Sequence, residues 1–348
     1  MAEIDPGLSI LPHPDVIIRI LRFPMKCGKI EGEANAMNQT AERTALLYRQ
    51  LLDGYPALRL TPDALMARYT TLHLGGPADL LAEPDNEDQL RVLLRSAASL
   101  DVPVTVIGHG STLLVRDGGI PGLVIRMAGG FRGITSAHGM LKAGAGCMLS
   151  TLAMAAAEND LGGLAFASGI PGTVGGGVWM NAGAYGGELG QVVTLVEGLR
   201  RDGTAVRYTR PEMDFSYRHS RLQGEDTIVT AVTLQLPHAR REDILKDMVD
   251  LNRARAEKQP LTEPSAGSTF KRPEGAFAAA LIDRCGLKGA TVGGAAVSEK
   301  HAGFLLNRGG TAEDFLGLMR LVRERVLAET GIALEPEVRI LGVDRREA

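Results

Sequence analysis

A run of twenty residues, 169–188, constrains most strongly what this chain can fold into. Eight of the twenty are glycine, yet apolar side chains such as Ile170, Val178 and Trp179 recur within it. Glycine accepts a positive φ and lets a backbone approach a ligand closely. We therefore interpret the run as buried main chain that wraps around a flat, phosphate-bearing cofactor. A tight corner inside a hydrophobic core is the alternative.

A second run, residues 104–115, reads as strand, glycine turn and strand. Gly108, Gly110, Ser111 and Thr112 offer backbone N–H groups and hydroxyls at the turn, which suits phosphate oxygens. The run is neither a dinucleotide-binding Gly-x-Gly-x-x-Gly fingerprint nor a P-loop, because no Gly-Lys-Ser/Thr ends it. Taken alone, an ordinary β-hairpin turn explains it equally well.

Bulk composition excludes several classes of protein. The chain has 348 residues and a formal net charge of −3, so no basic field favours nucleic acid. Aromatic residues make up only 4%, which disfavours a base-stacking surface. The three cysteines are scattered and show no metal-ligand spacing. We expect reduced thiols, no metal site and no nucleic-acid partner.

No stretch of the sequence is typical of a membrane-spanning or exported protein. Every apolar run is shorter than the roughly 18 residues that a span requires. Residues 16–23 look superficially like a signal-peptide core, but two arginines interrupt them and no clear cleavage site follows. We expect no membrane partner and a cytoplasmic location.

Seven motifs in a fixed order carry a resemblance to a known family. They are residues 69–79, 104–115, 165–190, 217–220, 264–273, 293–301 and 334–339. Over residues 55–342 the chain resembles the UDP-N-acetylenolpyruvoylglucosamine reductases, the flavoenzymes of peptidoglycan precursor synthesis. It resembles their shorter subtype, because no tyrosine-bearing loop is visible between residues 240 and 330.

The resemblance implies an α+β fold, with a vanillyl-alcohol-oxidase-type FAD-binding domain of two α/β subdomains and a smaller α+β substrate-binding domain. Hydrophobic spacing predicts helices at residues 40–53, 87–100, 148–160 and 241–257. A capping box at residues 311–314 predicts one more helix, which stops at Gly331. We place a partly disordered N-terminal extension at 1–54, the FAD-binding domain at 55–237 (subdomains at about 55–126 and 127–237), the substrate-binding domain at 238–330, and a C-terminal segment that returns to the FAD-binding domain at 331–348.

The reaction that the resemblance implies is the NADPH-dependent reduction of UDP-N-acetyl-3-O-(1-carboxyvinyl)-glucosamine to UDP-N-acetylmuramate through noncovalently bound FAD. NADPH is then a co-substrate, the UDP-sugar is the other partner, and we expect a monomer. Two alternatives stay open. One is another FAD-dependent sugar or alcohol oxidase of the same fold, and the other is a glycine-rich nucleotide-binding or assembly module without catalysis.

Reducing a carbon–carbon double bond beside a carboxylate requires a hydride, a group that stabilises the developing negative charge, and an acid for the α-carbon. The resemblance assigns charge stabilisation to Arg218, proton donation to Ser268 and a second role at the same intermediate to Glu337. We choose Glu337 over Glu335 because it directly precedes residues 338–339. From the residues alone, a surface salt bridge, a turn serine and an exposed strand carboxylate are the ordinary alternatives.

The resemblance also implies two sets of binding residues. The family often has asparagine where this chain has His109 and Thr112, but backbone N–H groups do most of the phosphate binding, so we expect FAD binding to persist. Cationic side chains suit the two phosphates of a UDP-sugar, although Arg272 replaces an asparagine of some relatives, and solvated charges or structural roles are the alternatives. The cofactor set is Gly108, His109, Gly110, Ser111, Thr112, Leu113, Ile170, Pro171, Gly172, Gly175, Gly176, Asn181, Gly183 and Ala184. The substrate set is Tyr217, Lys258, Lys271, Arg272, Glu299 and His301.

Overall fold

The computed structural model describes the backbone of residues 27–345 and the side chains from residue 38 onward. The chain divides into two compact units, Met1–Asn38 and Gln39–Ala348. Residues 1–26, where part of the predicted N-terminal extension falls, lie outside the described residues. Within residues 27–345, no helix is long and apolar enough to cross a bilayer.

Seven α-helices and seventeen strands make up the described part of the chain, in agreement with the predicted α+β class. The helices are α1 (Cys27–Gly54), α2 (Glu87–Ser99), α3 (Leu149–Glu158), α4 (Val174–Met180), α5 (Arg241–Lys258), α6 (Ala278–Arg284) and α7 (Ala312–Thr330). The strands are β1 (Arg59–Leu65), β2 (Pro77–Glu83), β3 (Val104–Ile107), β4 (Leu113–Val115), β5 (Ile120–Arg126), β6 (Ile134–Ala137), β7 (Met140–Gly144), β8 (Gly183–Ala184), β9 (Gly187–Glu188), β10 (Val193–Arg200), β11 (Ala205–Thr209), β12 (Thr227–Gln235), β13 (Ser265–Ser268), β14 (Thr291–Val292), β15 (Ala295–Val297), β16 (Phe304–Asn307) and β17 (Arg339–Leu341).

Three sheets organise the second unit. The first has the order β1-β2-β5-β3, with β2 and β3 parallel to β5 and β1 antiparallel to β2. The second is antiparallel, with the order β11-β10-β12-β7-β6. The third is also antiparallel, with the order β13-β16-β15-β14. In addition, β17 pairs in parallel with β4, which brings the last strand beside the first glycine turn.

The helix termini follow from local chemistry. Asn86 caps α2, because its side chain accepts a hydrogen bond from the Gln89 N–H. The predicted capping box at the start of α7 is confirmed, since Thr311 accepts from the Asp314 N–H and Asp314 accepts in return. The same helix ends where predicted, at Gly331, which adopts the left-handed conformation with φ of 71°.

A side chain from another part of the chain completes the start of α7. Asp117, which follows β4, accepts hydrogen bonds from the N–H groups of Ala312 and Glu313 at 3.0 and 3.1 Å. With Thr311 serving Asp314, the first three amides of the helix all have acceptors. These amides have no partner inside a helix, so Asp117 ties the β4–β5 loop to α7.

Apolar side chains form separate cores beneath the sheets. The largest core joins the first two sheets with α1, α2, α3 and α4. A second core lies between the third sheet, α6 and α7, and includes the fully buried Phe315. Cys147 and Cys285 are free and buried, one in each core, as expected for small hydrophobic residues.

Candidate active site

A cavity of about 790 Å³ brings the two glycine runs together with residues of the third sheet and the C-terminal strand. Thirteen of the fourteen residues of the predicted cofactor set line it, and Asn181 does not. All three predicted catalytic residues, Arg218, Ser268 and Glu337, line the same cavity. The structure therefore brings the predicted cofactor-binding and catalytic residues, which lie far apart in the chain, to one cavity.

The first glycine turn presents unused amide donors to this cavity. Within the described residues, the N–H groups of His109, Gly110, Ser111 and Thr112 donate no hydrogen bond. Gly110 has a φ of +73°, and a Cβ there would lie 2.1 Å from the carbonyl oxygen of Tyr69, so a larger residue would displace the turn. Successive free N–H groups suit an anion such as a pyrophosphate. The residues present therefore fit a phosphate-bearing cofactor.

The second glycine run lets α4 lie close to the segment of this chain around Ala145. At Gly175 an added Cβ would lie 2.9 Å from the Ala145 Cβ, so only glycine allows this approach without a shift. At Gly176 the nearest atom would be 3.5 Å away, and this residue faces the cavity. One side of the run thus packs against the segment around Ala145, and the other side exposes backbone to the cavity. This is the arrangement expected for main chain that wraps around a ligand.

Asn181 lies beneath the cavity wall. The residue is 1% exposed, and its backbone adopts the left-handed conformation at the end of α4. Its amide nitrogen donates to the Ser216 carbonyl at 2.9 Å, and its carbonyl oxygen accepts from the Gly190 N–H at 2.8 Å. Both groups of the amide are occupied by backbone, so the structure gives Asn181 a supporting place behind the site.

Arg218 is held in a tight turn and directed at Glu337. Ser216 and His219 exchange two backbone hydrogen bonds, and Arg218 lies between them with a φ of +55°. For a residue other than glycine this conformation costs about 1–2 kcal/mol, and such strain is concentrated at functional sites. The Arg218 Nε donates to the Glu337 Oε1 at 2.7 Å, and the two side chains are only 21% and 11% exposed.

Backbone pairing of the C-terminal segment places Glu337 next to the predicted proton donor. The Glu337 N–H donates to the Thr269 carbonyl at 2.8 Å, directly after Ser268. Glu335, the other carboxylate of this motif, is 69% exposed and forms an ion pair with Lys271. Only Glu337 lines the cavity, which accords with its choice over Glu335.

Burial sets the protonation chemistry of the site. Loss of water raises the pKa of Glu337 above the ordinary value, and the Arg218 and Lys271 charges offset this only in part. Burial also lowers the pKa of His109, and the Arg126 charge lowers it further, so this imidazole is neutral at pH 7. The Glu337 carboxyl group therefore keeps its proton up to a higher pH in this site than a glutamate does in water.

Ser268 is available for proton transfer. It is an exposed residue at the end of β13, where the register against β16 shifts between Ser265 and Ser268 and Gly267 has a φ of +74°. Within the described residues its hydroxyl has no hydrogen-bond partner. A hydroxyl that faces a cavity without an internal partner can donate to a bound molecule.

The predicted substrate set divides into two groups. Lys258, Arg272 and His301 line the cavity, whereas Tyr217, Lys271 and Glu299 do not. Tyr217 is 51% exposed, and its hydroxyl accepts from the Arg272 N–H at 3.2 Å. Lys271 is paired with Glu335, and Glu299 lines a smaller neighbouring pocket of about 320 Å³.

Sequence reasoning missed three cavity arginines, of which Arg201 is paired with Asp226. The Arg339 guanidinium lies 4.2 Å over the Trp179 ring, and no carboxylate of the described residues pairs with it. Arg255 lies one helical turn before Lys258 on α5, and its buried Nε has no partner in the described chain. Two signals were available, namely the position of Arg339 two residues after Glu337 and the i, i+3 spacing of Arg255 and Lys258.

The chain is similar to known proteins over both glycine runs and over its C-terminal part. An FAD binding domain model matches residues 78–209, and the model for the C-terminal domain of UDP-N-acetylenolpyruvoylglucosamine reductase matches residues 259–341. The UDP-N-acetylenolpyruvoylglucosamine reductase of Agathobacter rectalis is 46% identical over 319 residues, which cover 88% of this chain and 99% of the relative. That of Pediococcus pentosaceus is 43% identical over 301 residues, covering 86% and 100%.

A solved structure shows the same fold. The crystal structure of the UDP-N-acetylenolpyruvylglucosamine reductase from Thermus caldophilus superposes with a TM-score of 0.70 at 38% identity, covering 82% of this chain and all but 1% of its own. Fold and cavity thus define an FAD-dependent oxidoreductase, and the predicted fold class is confirmed. The chain belongs to the UDP-N-acetylenolpyruvoylglucosamine reductase family, as the sequence motifs predicted.

Proposed function

We propose that Arg218, Glu337 and Ser268 reduce the enolpyruvyl group of UDP-N-acetyl-3-O-(1-carboxyvinyl)-glucosamine, giving UDP-N-acetylmuramate for peptidoglycan synthesis. The single observation that supports this assignment is the Arg218–Glu337 pair, joined at 2.7 Å beside Ser268 in the glycine-lined cavity. FAD, held without a covalent link and reduced by NADPH, would supply the hydride. Family membership supports both the reaction and the cofactor.

The glycine runs would hold the cofactor. The free N–H groups of residues 109–112 suit its pyrophosphate, and the open backbone at Gly172 and Gly176 suits a flat ring system. Leu113 and Ile170 supply apolar contact in the same wall. Neutral His109 adds no charge, so the backbone amides carry most of the phosphate binding.

Each of the three side chains has a distinct task at the substrate. The Arg218 guanidinium is always charged, and it stabilises negative charge that develops on the substrate carboxylate. Burial raises the pKa of Glu337, and in its protonated form Glu337 donates a hydrogen bond to the same carboxylate or to a water beside it. Ser268 donates its proton to the α-carbon, which is strongly basic once the hydride has added to the β-carbon.

Cationic side chains at the cavity mouth would bind the nucleotide part of the substrate. Lys258 and Arg272 line the cavity and suit the two phosphates, with His301 nearby. Tyr217, Lys271 and Glu299 would contribute at the rim, where Tyr217 already holds the Arg272 backbone. We also propose that the protein acts in the cytoplasm, where its buried thiols stay reduced, and that it is a monomer.

The decisive experiment separates the two half-reactions in the Ser268→Ala variant. NADPH should bleach the flavin absorbance at nearly the wild-type rate, because Ser268 has no task in that step. Reoxidation by the enolpyruvyl substrate should slow by about 10²–10⁴-fold, the usual contribution of a positioned acid. Ser265→Ala, on the same strand but outside the cavity lining, is the matched control and should leave both steps unchanged.

Three outcomes would contradict the proposal. Equal slowing of both steps would make Ser268 a flavin-positioning residue, and unchanged reoxidation would assign the proton to another donor. Rapid reoxidation by dioxygen coupled to turnover of simple sugars would instead support an oxidase of the same fold.

A further inference from the structure

Arg218 occupies a backbone conformation that its own side chain does not favour. Its φ of +55° falls at the second central position of the Ser216–His219 turn, where glycine or asparagine is the usual residue. The turn closes through only two backbone hydrogen bonds, of 3.2 and 3.1 Å. A strained conformation persists only when surrounding groups hold it, so other residues must fix Arg218 in place.

One side chain forms a hydrogen bond with the backbone of this strained residue. The Gln223 Nε2 donates to the Arg218 carbonyl at 2.9 Å and to the Trp179 carbonyl at 3.1 Å. Gln223 is itself fixed, because its backbone N–H donates to the Ser220 carbonyl at 3.0 Å. Its two side-chain N–H groups therefore join the catalytic turn to the last turn of α4, the helix that carries the glycine run.

Ser220 also donates a hydrogen bond to the Trp179 carbonyl, which Gln223 contacts as well. The hydroxyl of Ser220, which is fully buried, donates to the Trp179 carbonyl at 2.8 Å. This bond anchors the chain after the turn, while the Asn181 amide anchors the chain before it by donating to Ser216. Of these three contacts, that of Gln223 is the one made to the backbone of Arg218.

We propose that Gln223 is a positioning residue for the reaction: its amide holds Arg218 in the left-handed conformation and couples that conformation to the cofactor-binding helix α4. Gln223 acts through Arg218, which delivers its guanidinium to Glu337. The inference rests on the proposed function of Arg218. It predicts that removing the Gln223 donors weakens the step that needs Arg218 and leaves the folded, flavin-loaded protein otherwise intact.

The test uses Gln223→Met, which keeps the length of the side chain and removes both N–H groups. We expect normal flavin content and a wild-type rate of flavin bleaching by NADPH. Reoxidation by the enolpyruvyl substrate should slow by about tenfold, which corresponds to the loss of one or two hydrogen bonds. Gln235→Ala is the matched control, because Gln235 is also exposed and its Nε2 donates to the Gly139 carbonyl at 3.0 Å, remote from the cavity lining.

A pH profile distinguishes positioning from a merely structural role. The charges that act on Glu337 are Arg218, which Gln223 holds, and Lys271, which lies on a segment that Gln223 does not touch. Both charges lower the pKa of Glu337. Displacing the Arg218 guanidinium removes the nearer one, so the limb of the reoxidation profile that reports Glu337 should move to higher pH in Gln223→Met.

Parallel measurement of Arg218→Ala separates the possible failures. If Arg218→Ala reoxidises at the wild-type rate, the proposed function itself is wrong. If Arg218→Ala is slow but Gln223→Met stays within twofold of wild type with an unmoved pH limb, only the positioning role is overturned. If Gln223→Met loses FAD or slows bleaching by NADPH equally, Gln223 serves the cofactor site and the proposal also fails.

Discussion

Removing the Asp117 carboxylate should destabilise the protein by breaking the hydrogen bonds that connect the β4–β5 loop to the start of α7. In Asp117→Ala, the N–H groups of Ala312 and Glu313 lose acceptors at 3.0 and 3.1 Å, and the helix N-terminus loses a nearby negative charge. Replacing a helix cap by alanine costs about 0.5–2 kcal/mol, and charged acceptors lie at the upper end. Because water can partly replace Asp117 at this half-exposed position, we expect a loss of about 2 kcal/mol.

The assay is thermal unfolding of the flavin-loaded protein. For a large chain, each kcal/mol shifts Tm by roughly 2 °C, so Asp117→Ala should lower Tm by about 4 °C. Hydrogen exchange should accelerate at the first amides of α7. Asp202→Ala is the control, since the hydrogen bonds that Asp202 accepts are local, including one from the Thr204 N–H at 2.8 Å in an exposed turn, and it should change Tm by less than about 2 °C. An Asp117→Ala protein that melts within about 1 °C of wild type would refute the reasoning.

Three further predictions concern the cavity. Gly110→Ala should lose most of its FAD, because the added Cβ would lie 2.1 Å from the Tyr69 carbonyl oxygen; Gly331→Ala, with nearly the same φ and open space around it, should keep its flavin absorbance. Glu337→Gln should lower substrate-dependent reoxidation by about 10²-fold or more and abolish the limb at which wild-type activity falls as pH rises through the raised pKa of Glu337, since an amide does not titrate; a pH profile that keeps this limb would contradict the assignment. Acid precipitation should leave a colourless pellet and a yellow supernatant, whereas a yellow pellet would indicate a covalent bond, with His109 the first residue to examine.

Signals within a few residues predicted the ends of helices, whereas contacts between residues far apart in the sequence could not be predicted. The capping box at Thr311 and the stop at Gly331 are encoded within a few residues, so α7 could be predicted without its neighbours. The ion pair between Lys271 and Glu335 joins residues 64 apart, and no spacing rule indicates it. Lys271 therefore looked like a free cation for phosphate, whereas the structure gives it a carboxylate partner.

In the candidate site, too, the local turn could be predicted and the packing of a distant side chain could not. Its glycine turn could be predicted, because free amides and positive φ follow from glycine spacing near residues 108–112. Asn181 looked equally suited to the cofactor, yet both ends of its amide are bound to backbone in a buried position. Whether a polar residue faces a ligand or supports the wall behind it depends on packing, which a single sequence does not report.

The ion pair at the centre of the site also has a consequence for how the molecule is made. Arg218 and Glu337 are 119 residues apart, and Glu337 lies in a segment that pairs with residues 269–271, directly after β13, and leads into β17. At a synthesis rate of about 5–20 residues per second, roughly 6–24 s separate the appearance of the two side chains. The chain that emerges first can assemble its glycine turns and bury its largest core, whose residues all precede Glu337, while one partner of the pair is still missing. A polypeptide whose synthesis is interrupted before residue 337 would therefore hold the glycine turns and Arg218 without the carboxylate that pairs with that arginine.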